Sequence, residues 1–117
     1  MSDSGNPEVL VRLAQTIAGR KRDRPERSYV VGLLDGGIDA MGAKITEEAA
    51  EVLEAAREAG TEHLVYETAD LLFHLWVLLG SREVSPDAVF SELARRFGTS
   101  GITEKERRPS QRPAVDG

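Results

Sequence analysis

Five acidic side chains fall into two groups whose spacing could do chemistry. Glu47, Glu48 and Glu51 form an E-E-x-x-E pattern before Gly60-Thr61, and Glu67 and Asp70 form E-x-x-D after it. On an α-helix each residue advances about 100° and 1.5 Å. Glu47 and Glu51 (i, i+4) therefore share a face, as do Glu48 and Glu51 (i, i+3). Glu67, Asp70 and His74 fall on one line at i, i+3 and i+7. A short connection makes the two helices antiparallel neighbours. Measured from the turn, Glu51 lies roughly 13 Å up one arm, and Glu67 and Asp70 roughly 10 and 15 Å up the other. Helix axes about 8–10 Å apart let such side chains meet.

Carboxylates that meet repel, and burial penalises each charge by several kcal/mol on the order-of-magnitude scale. Alone they would take up protons. Lys44, one turn before Glu47 and Glu48, can offset one charge. A hard divalent cation offsets more, and an all-oxygen ligand set suits Mg²⁺ or Mn²⁺ rather than zinc. An isolated E-E-x-x-E is more often a solvated helix face. E-x-x-D on a nearly apolar helix is less ordinary, because exposed positions are scarce there. His74 reads more readily as a satisfied core histidine than as a ligand.

The elements that must carry these residues are all helical. Asn6-Pro7 reads as a cap and first-turn proline, with Val9, Leu10, Leu13, Ala14 and Ile17 at helical spacing and Gly19 as the expected stop. Arg20 to Ser28 reads as a polar basic loop, and 29–42, rich in glycine, as irregular. Ala49, Val52, Leu53 and Ala56 predict an apolar stripe on a helix from Ala43 to Ala59, with Gly60 just past its end. Thr61 is positioned to cap a second helix running to about Leu79, apolar on most sides. A helix of that kind belongs inside something, which predicts a helical partner chain. Ser85-Pro86-Asp87 opens a last helix, with Gly98 as its stop.

The expected architecture is all-α: antiparallel helical hairpins assembling into a four-helix-bundle-like dimer. Residues 1–8 read as a polar stub, 9–98 as one domain, and 99–117 as a polar tail whose last ten or so residues are expected to be disordered. One small domain is what 117 residues allow. With 40% hydrophobic and only 5% aromatic residues, its core should be aliphatic. There is no cysteine, so disulfides and thiolate metal sites are excluded. A net charge of −5 argues against general nucleic-acid binding. The N-terminus lacks a secretory pattern, and no apolar run reaches the roughly 18–20 residues that span a bilayer. The expectation is a cytoplasmic protein without a membrane segment.

The motifs resemble a known group. E-E-x-x-E followed by E-x-x-D on the next helix is similar to the signature of the all-α nucleotide pyrophosphohydrolases, the MazG-like superfamily. Within it, "KITEEAAEV" and "ETADLLFHLWVLL" most resemble the phosphoribosyl-ATP pyrophosphatase family. "RPERSYVVGLLDGGIDAMGAK" and "VSPDAVFSELARRF" extend the likeness to about Val9–Arg108. Thr46 departs from it, since the family commonly has glycine there. The resemblance implies that Glu47, Glu48, Glu51, Glu67 and Asp70 hold Mg²⁺, with Mn²⁺ as a substitute. It implies a homodimer or higher homo-oligomer. It also implies hydrolysis of phosphoribosyl-ATP to phosphoribosyl-AMP and pyrophosphate, the second step of histidine biosynthesis.

In that scheme Glu48 is the first candidate for the water-activating base, with Glu47 as its alternate. Lys44, Arg22, Arg24, Arg27 and Arg107 are candidate cations for substrate phosphates, with Arg20, Lys21, Lys105 and Arg108 in the same two basic stretches. Two rival readings stand beside it. One is a sibling enzyme acting on dUTP, dCTP or non-canonical nucleotides with the same metal chemistry. The other is a non-catalytic helical adaptor whose acids only solubilise it. A di-iron bundle fits less well, since those sites favour Glu-x-x-His pairs.

Overall fold

The structure, a computed structural model, describes residues 5–98, and among them every regular element is helical. Lys105, Arg107, Arg108 and the expected disorder of the last residues lie outside the described residues. The chain divides into two compact units, one ending at Pro86 and one beginning at Asp87.

The first unit holds three helices, α1 (Glu8–Asp23), α2 (Tyr29–Ala55) and α3 (Glu62–Ser81). Asn6 starts α1 as expected, its Oδ1 accepting from the Glu8 amide at 2.8 Å. Gly19 does not stop it. The helix runs on to Asp23, so Arg20, Lys21 and Arg22 occupy its last turn rather than a loop. One helical glycine costs about 1 kcal/mol, and cations in a last turn favour the carbonyl end of the helix. Lys21 adds a tertiary tie, its Nζ donating to the Gly80 carbonyl at 3.0 Å and pairing with Glu83 at 3.3 Å. Arg24, left-handed at φ 48°, ends the helix. The basic loop thus shrinks to Arg24–Ser28.

The stretch expected to be irregular is helical as well. Ser28 caps α2, its side chain accepting from the Val31 amide at 3.2 Å. Val30, Leu33 and Met41 are buried, and that burial outweighs the low helix propensity of the intervening glycines. The break comes at Gly37 alone, at φ 76° and ψ −170°, a region essentially reserved for glycine. The end of α2 also differs from expectation. It closes at Ala55, and turns through Arg57 and Glu58 precede α3, so Gly60 is not its terminator. Thr61 takes the capping position without a side-chain cap bond.

Helices α2 and α3 pack most extensively, and α1 lies against both. The buried seam of α2 is Met41, Glu48 and Ala55, seven residues apart. Leu53, placed in the expected stripe, is instead 63% exposed. On α3 the buried side chains are Glu67, His74, Trp76 and Val77. The core (Ile17, Val30, Leu33, Met41, Ala55, Trp76, Val77) is largely aliphatic, with one tryptophan. Trp76 Nε1 donates to the Leu10 carbonyl at 3.0 Å, tying α3 to α1.

Ile17 packs against Gly80 where those two helices meet. A Cβ on Gly80 would stand 2.8 Å from Ile17 Cγ2. Gly80→Ala should therefore destabilise the protein by about 1–3 kcal/mol, the usual range for overpacking, read as a lower melting temperature. An unchanged melting temperature would mean α1 can shift at no cost.

The second unit contains α4 (Pro86–Arg95) apart from its first residue. On it Glu92 receives Arg95 at 2.7 Å and Arg96 at 3.0 Å, which hold its carboxyl down at about 2. Among the described residues no helix is long and apolar enough to cross a membrane.

Candidate active site

The hairpin of α2 and α3 assembles the acids in register. Glu48 groups with Asp70 and His74, and Glu51 with Glu48 and Glu67, the ligand atoms within each group lying within 4.8 Å of one another. As the numbering rises on one arm it falls on the other, as antiparallel packing requires. Two of these acids sit in the buried seam itself. Glu48 is 4% exposed and Glu67 7%, at positions where an apolar side chain would ordinarily seal the helix pair.

Their electrostatics follow from that placement. Burial, then contact with the Glu67 carboxyl and the charge of Asp70, pushes Glu48 up to about 7. Glu51 is raised too, first by its contact with Glu67 and then by burial. Burial disfavours the Glu67 charge, but hydrogen bonds from Glu48, His63 and Glu51 outweigh it and hold that carboxyl below its ordinary value. Oε1 of Glu48 and Oε1 of Glu67 are both buried without a hydrogen-bond partner. Buried polar atoms in native proteins are seldom left so. Two orphaned carboxylate oxygens in a crevice of four acids make a donor set that fits a hard divalent cation.

Other residues singled out from sequence lie around this cluster. Glu47 stands outside both groups, half-exposed and paired with Lys44 at 3.2 Å. Lys44 is also 4.0 Å from Glu48, and the Glu47 contact raises its pKa. Arg24 is exposed and donates to Asp35 at 2.6 Å, Arg22 pairs with Asp23 at 3.1 Å, and Arg27 is exposed in the loop at φ 61°.

Sequence reasoning missed two participants. His63 sets Nδ1 2.9 Å from Glu58 and Nε2 3.0 Å from Glu67. With both ring nitrogens facing carboxylates, Glu58 first and Glu67 second, its pKa is raised. The i, i+4 spacing of His63 and Glu67 was the available signal. The other is Tyr29, whose hydroxyl meets His74 Nε2 at 2.8 Å. No local pattern announces that contact. In a straight helix Tyr29 would lie ~22 Å beyond Lys44, and only the break at Gly37 folds it back. His74 Nδ1 faces the Asp70 backbone carbonyl at 2.8 Å. A carbonyl only accepts, so Nδ1 carries the proton and Nε2 accepts from Tyr29. His74 is thus a fully bonded buried ring, in accord with its reading as a satisfied core histidine.

The fold and the site define an all-α protein whose helical hairpin carries a cluster of carboxylates, two of them buried. Residues 10–97 match the family described as phosphoribosyl-ATP pyrophosphohydrolase. A Rhodopirellula baltica protein named phosphoribosyl-ATP pyrophosphatase is 47% identical over 112 residues, spanning 91% of this chain and 93% of its own length. Proteins of the same name from Trichlorobacter lovleyi and Geotalea daltonii are 49% and 46% identical, spanning 90% and 88% of this chain and 97% of their own lengths. The chain belongs to the phosphoribosyl-ATP pyrophosphohydrolase family.

Proposed function

We propose that this protein hydrolyses phosphoribosyl-ATP to phosphoribosyl-AMP and pyrophosphate, the second step of histidine biosynthesis, with Mg²⁺ as its cofactor and Mn²⁺ as a substitute. Relatives named phosphoribosyl-ATP pyrophosphatase support the substrate. The observation that carries the chemistry is the pair of orphaned oxygens on Glu48 and Glu67. Glu48, Glu51, Glu67 and Asp70 would hold the cation, with Glu47 at the rim. An ion bound there would supply positive charge to the phosphate oxygens and to the leaving pyrophosphate.

The chain's own groups do the rest. Water attacks the α-phosphorus, the bond to the β-phosphate oxygen breaks, and the water's proton passes to a carboxylate. Glu48 is that base in this reading, with Glu47, already held by Lys44, as its alternate. Arg22, Arg24, Arg27 and Arg107 are the cations that meet the substrate phosphates, joined by Lys44. Arginine's planar fork suits a phosphate better than a point charge does. Arg24→Ala with Arg27→Ala should raise KM several-fold and leave kcat within about twofold. Unchanged kinetics would remove both from the substrate site.

Incubation with phosphoribosyl-ATP and with a panel including dUTP and dCTP, with Mg²⁺ or with chelator, tests the function through released pyrophosphate. Preference for phosphoribosyl-ATP and loss of activity in chelator are expected. Preferential turnover of a deoxynucleotide would favour the sibling reading, and no turnover together with no stabilisation by Mg²⁺ would favour the adaptor.

The same reading includes a homodimer or higher homo-oligomer. Leu53, Val65 and Tyr66, all on the hairpin, are 63%, 65% and 66% exposed, an apolar surface that a second copy would cover. Light scattering behind a sizing column should give at least twice the chain mass. A monomer at micromolar concentration would overturn it. A soluble nucleotide substrate fits a cytoplasmic protein that binds neither membrane nor nucleic acid.

A further inference from the structure

His74 lies close enough to contribute to the carboxylate cluster and yet is kept from it. One of its ring nitrogens falls within 4.8 Å of ligand oxygens of Glu48 and Asp70. A neutral imidazole has a single lone pair. With the proton on Nδ1 directed at the Asp70 carbonyl at 2.8 Å, that lone pair is on Nε2, and the Tyr29 hydroxyl occupies it at 2.8 Å. The His74 ring is 3% exposed, and Tyr29, 54% exposed, covers it from the solvent side. Tyr29 is itself held, stacked on Phe73 with centroids 6.1 Å apart and edge-on to His74 at 5.8 Å.

This arrangement has a consequence for the choice of metal. Carboxylate oxygens alone favour Mg²⁺ or Mn²⁺, whereas one imidazole nitrogen shifts a site toward Co²⁺, Ni²⁺ and Zn²⁺. We propose that the Tyr29 hydroxyl, by occupying the lone pair of His74, keeps a nitrogen ligand out of the cluster and so sets its preference for hard, oxygen-seeking divalent cations. Tyr29 is then a specificity-determining residue for the cofactor, acting through His74. The proposal rests on the reading of Glu48, Glu51, Glu67 and Asp70 as a cation site, and its second support is the orphaned, buried Oε1 of Glu48, the residue common to both groups.

Tyr29→Phe is the decisive variant, because it keeps the ring on Phe73 and removes only the hydroxyl. Co²⁺ and Mg²⁺ titrations of the metal-free full chain, followed by calorimetry and by the visible spectrum of Co²⁺, read the outcome without reference to turnover. The parent should bind Co²⁺ with the weak spectrum of all-oxygen ligation. Tyr29→Phe should bind it at least tenfold tighter, with bands moved to shorter wavelength by the stronger nitrogen field, while Mg²⁺ affinity changes less than threefold. Adding His74→Asn to Tyr29→Phe should cancel the gain. Equal Co²⁺ affinity and spectra in parent and Tyr29→Phe would overturn the proposal, as would a gain that survives the double substitution. A nitrogen-ligated spectrum in the parent would overturn it as well. Failure of either ion to bind any of the three proteins would instead bring down the cation site itself, and the proposal with it.

Discussion

Glu48→Gln is expected to cost roughly a thousandfold in turnover, the scale of losing a positioned base or metal ligand, and yet to raise the melting temperature of the metal-free protein. The two signs share one cause. Glu48 is 4% exposed and belongs to both carboxylate groups. Without a cation, ionising it adds a charge to a dry seam already holding Glu67 and facing Asp70 and Glu51. The amide removes that charge, keeps the shape, and can donate to the neighbouring carboxylates. With a cation present the same charge holds the ion, so the variant should also lose the stabilisation by Mg²⁺ that binding to the folded state provides. Activity within a few-fold of the parent would remove Glu48 from the chemistry. A large fall in metal-free melting temperature would show that the carboxylate supports the fold.

The second large effect is on pH dependence. The folded-state pKa of Glu48, about 7, lies above its unfolded value near 4.5. A group raised on folding contributes its stability below the unfolded pKa and loses it as pH climbs through the folded one. Glu51 and His63 are also raised, so they act with the same sign. Glu67 is shifted down, and its contribution is lost only as pH falls below the ordinary carboxylate range. Between about pH 5 and 8 the raised groups decide. In chelator the melting temperature should fall across that window by about 10–20 °C, taking about 1.4 kcal/mol per pKa unit and a small domain's sensitivity of several °C per kcal/mol. Saturating Mg²⁺, which favours the ionised carboxylates, should flatten the slope. Melts in chelator and in Mg²⁺ across the window check both arms, and a metal-free melting temperature that rises from pH 5 to 8 would contradict the assignment of Glu48.

How far the site could be read in advance varies by residue. Glu48, Glu51, Glu67 and Asp70 were legible because helical periodicity and one turn determine which side chains can meet, and both are local properties. Glu47 obeys the same periodicity, yet it points toward Lys44, since one helix face cannot send two adjacent side chains into one seam. The stripe Ala49, Val52, Leu53 and Ala56 is rotated from the observed seam of Met41, Glu48 and Ala55. Apolarity alone marked the seam wrongly because one of its members is an acid.

The amino-acid pattern by itself determined the all-helical class, the antiparallel pairing of two acid-bearing arms and four of the five acids expected to meet between them, since each follows from residue spacing within a turn or two. Only the tertiary structure decided that Glu48 and Glu67 are the buried members, that α1 passes Gly19 and ties Lys21 to Gly80, and that the break at Gly37 leaves Tyr29 against His74. These features depend on which surfaces exclude water and on contacts between residues far apart in the chain, and short-range periodicity carries no information about either.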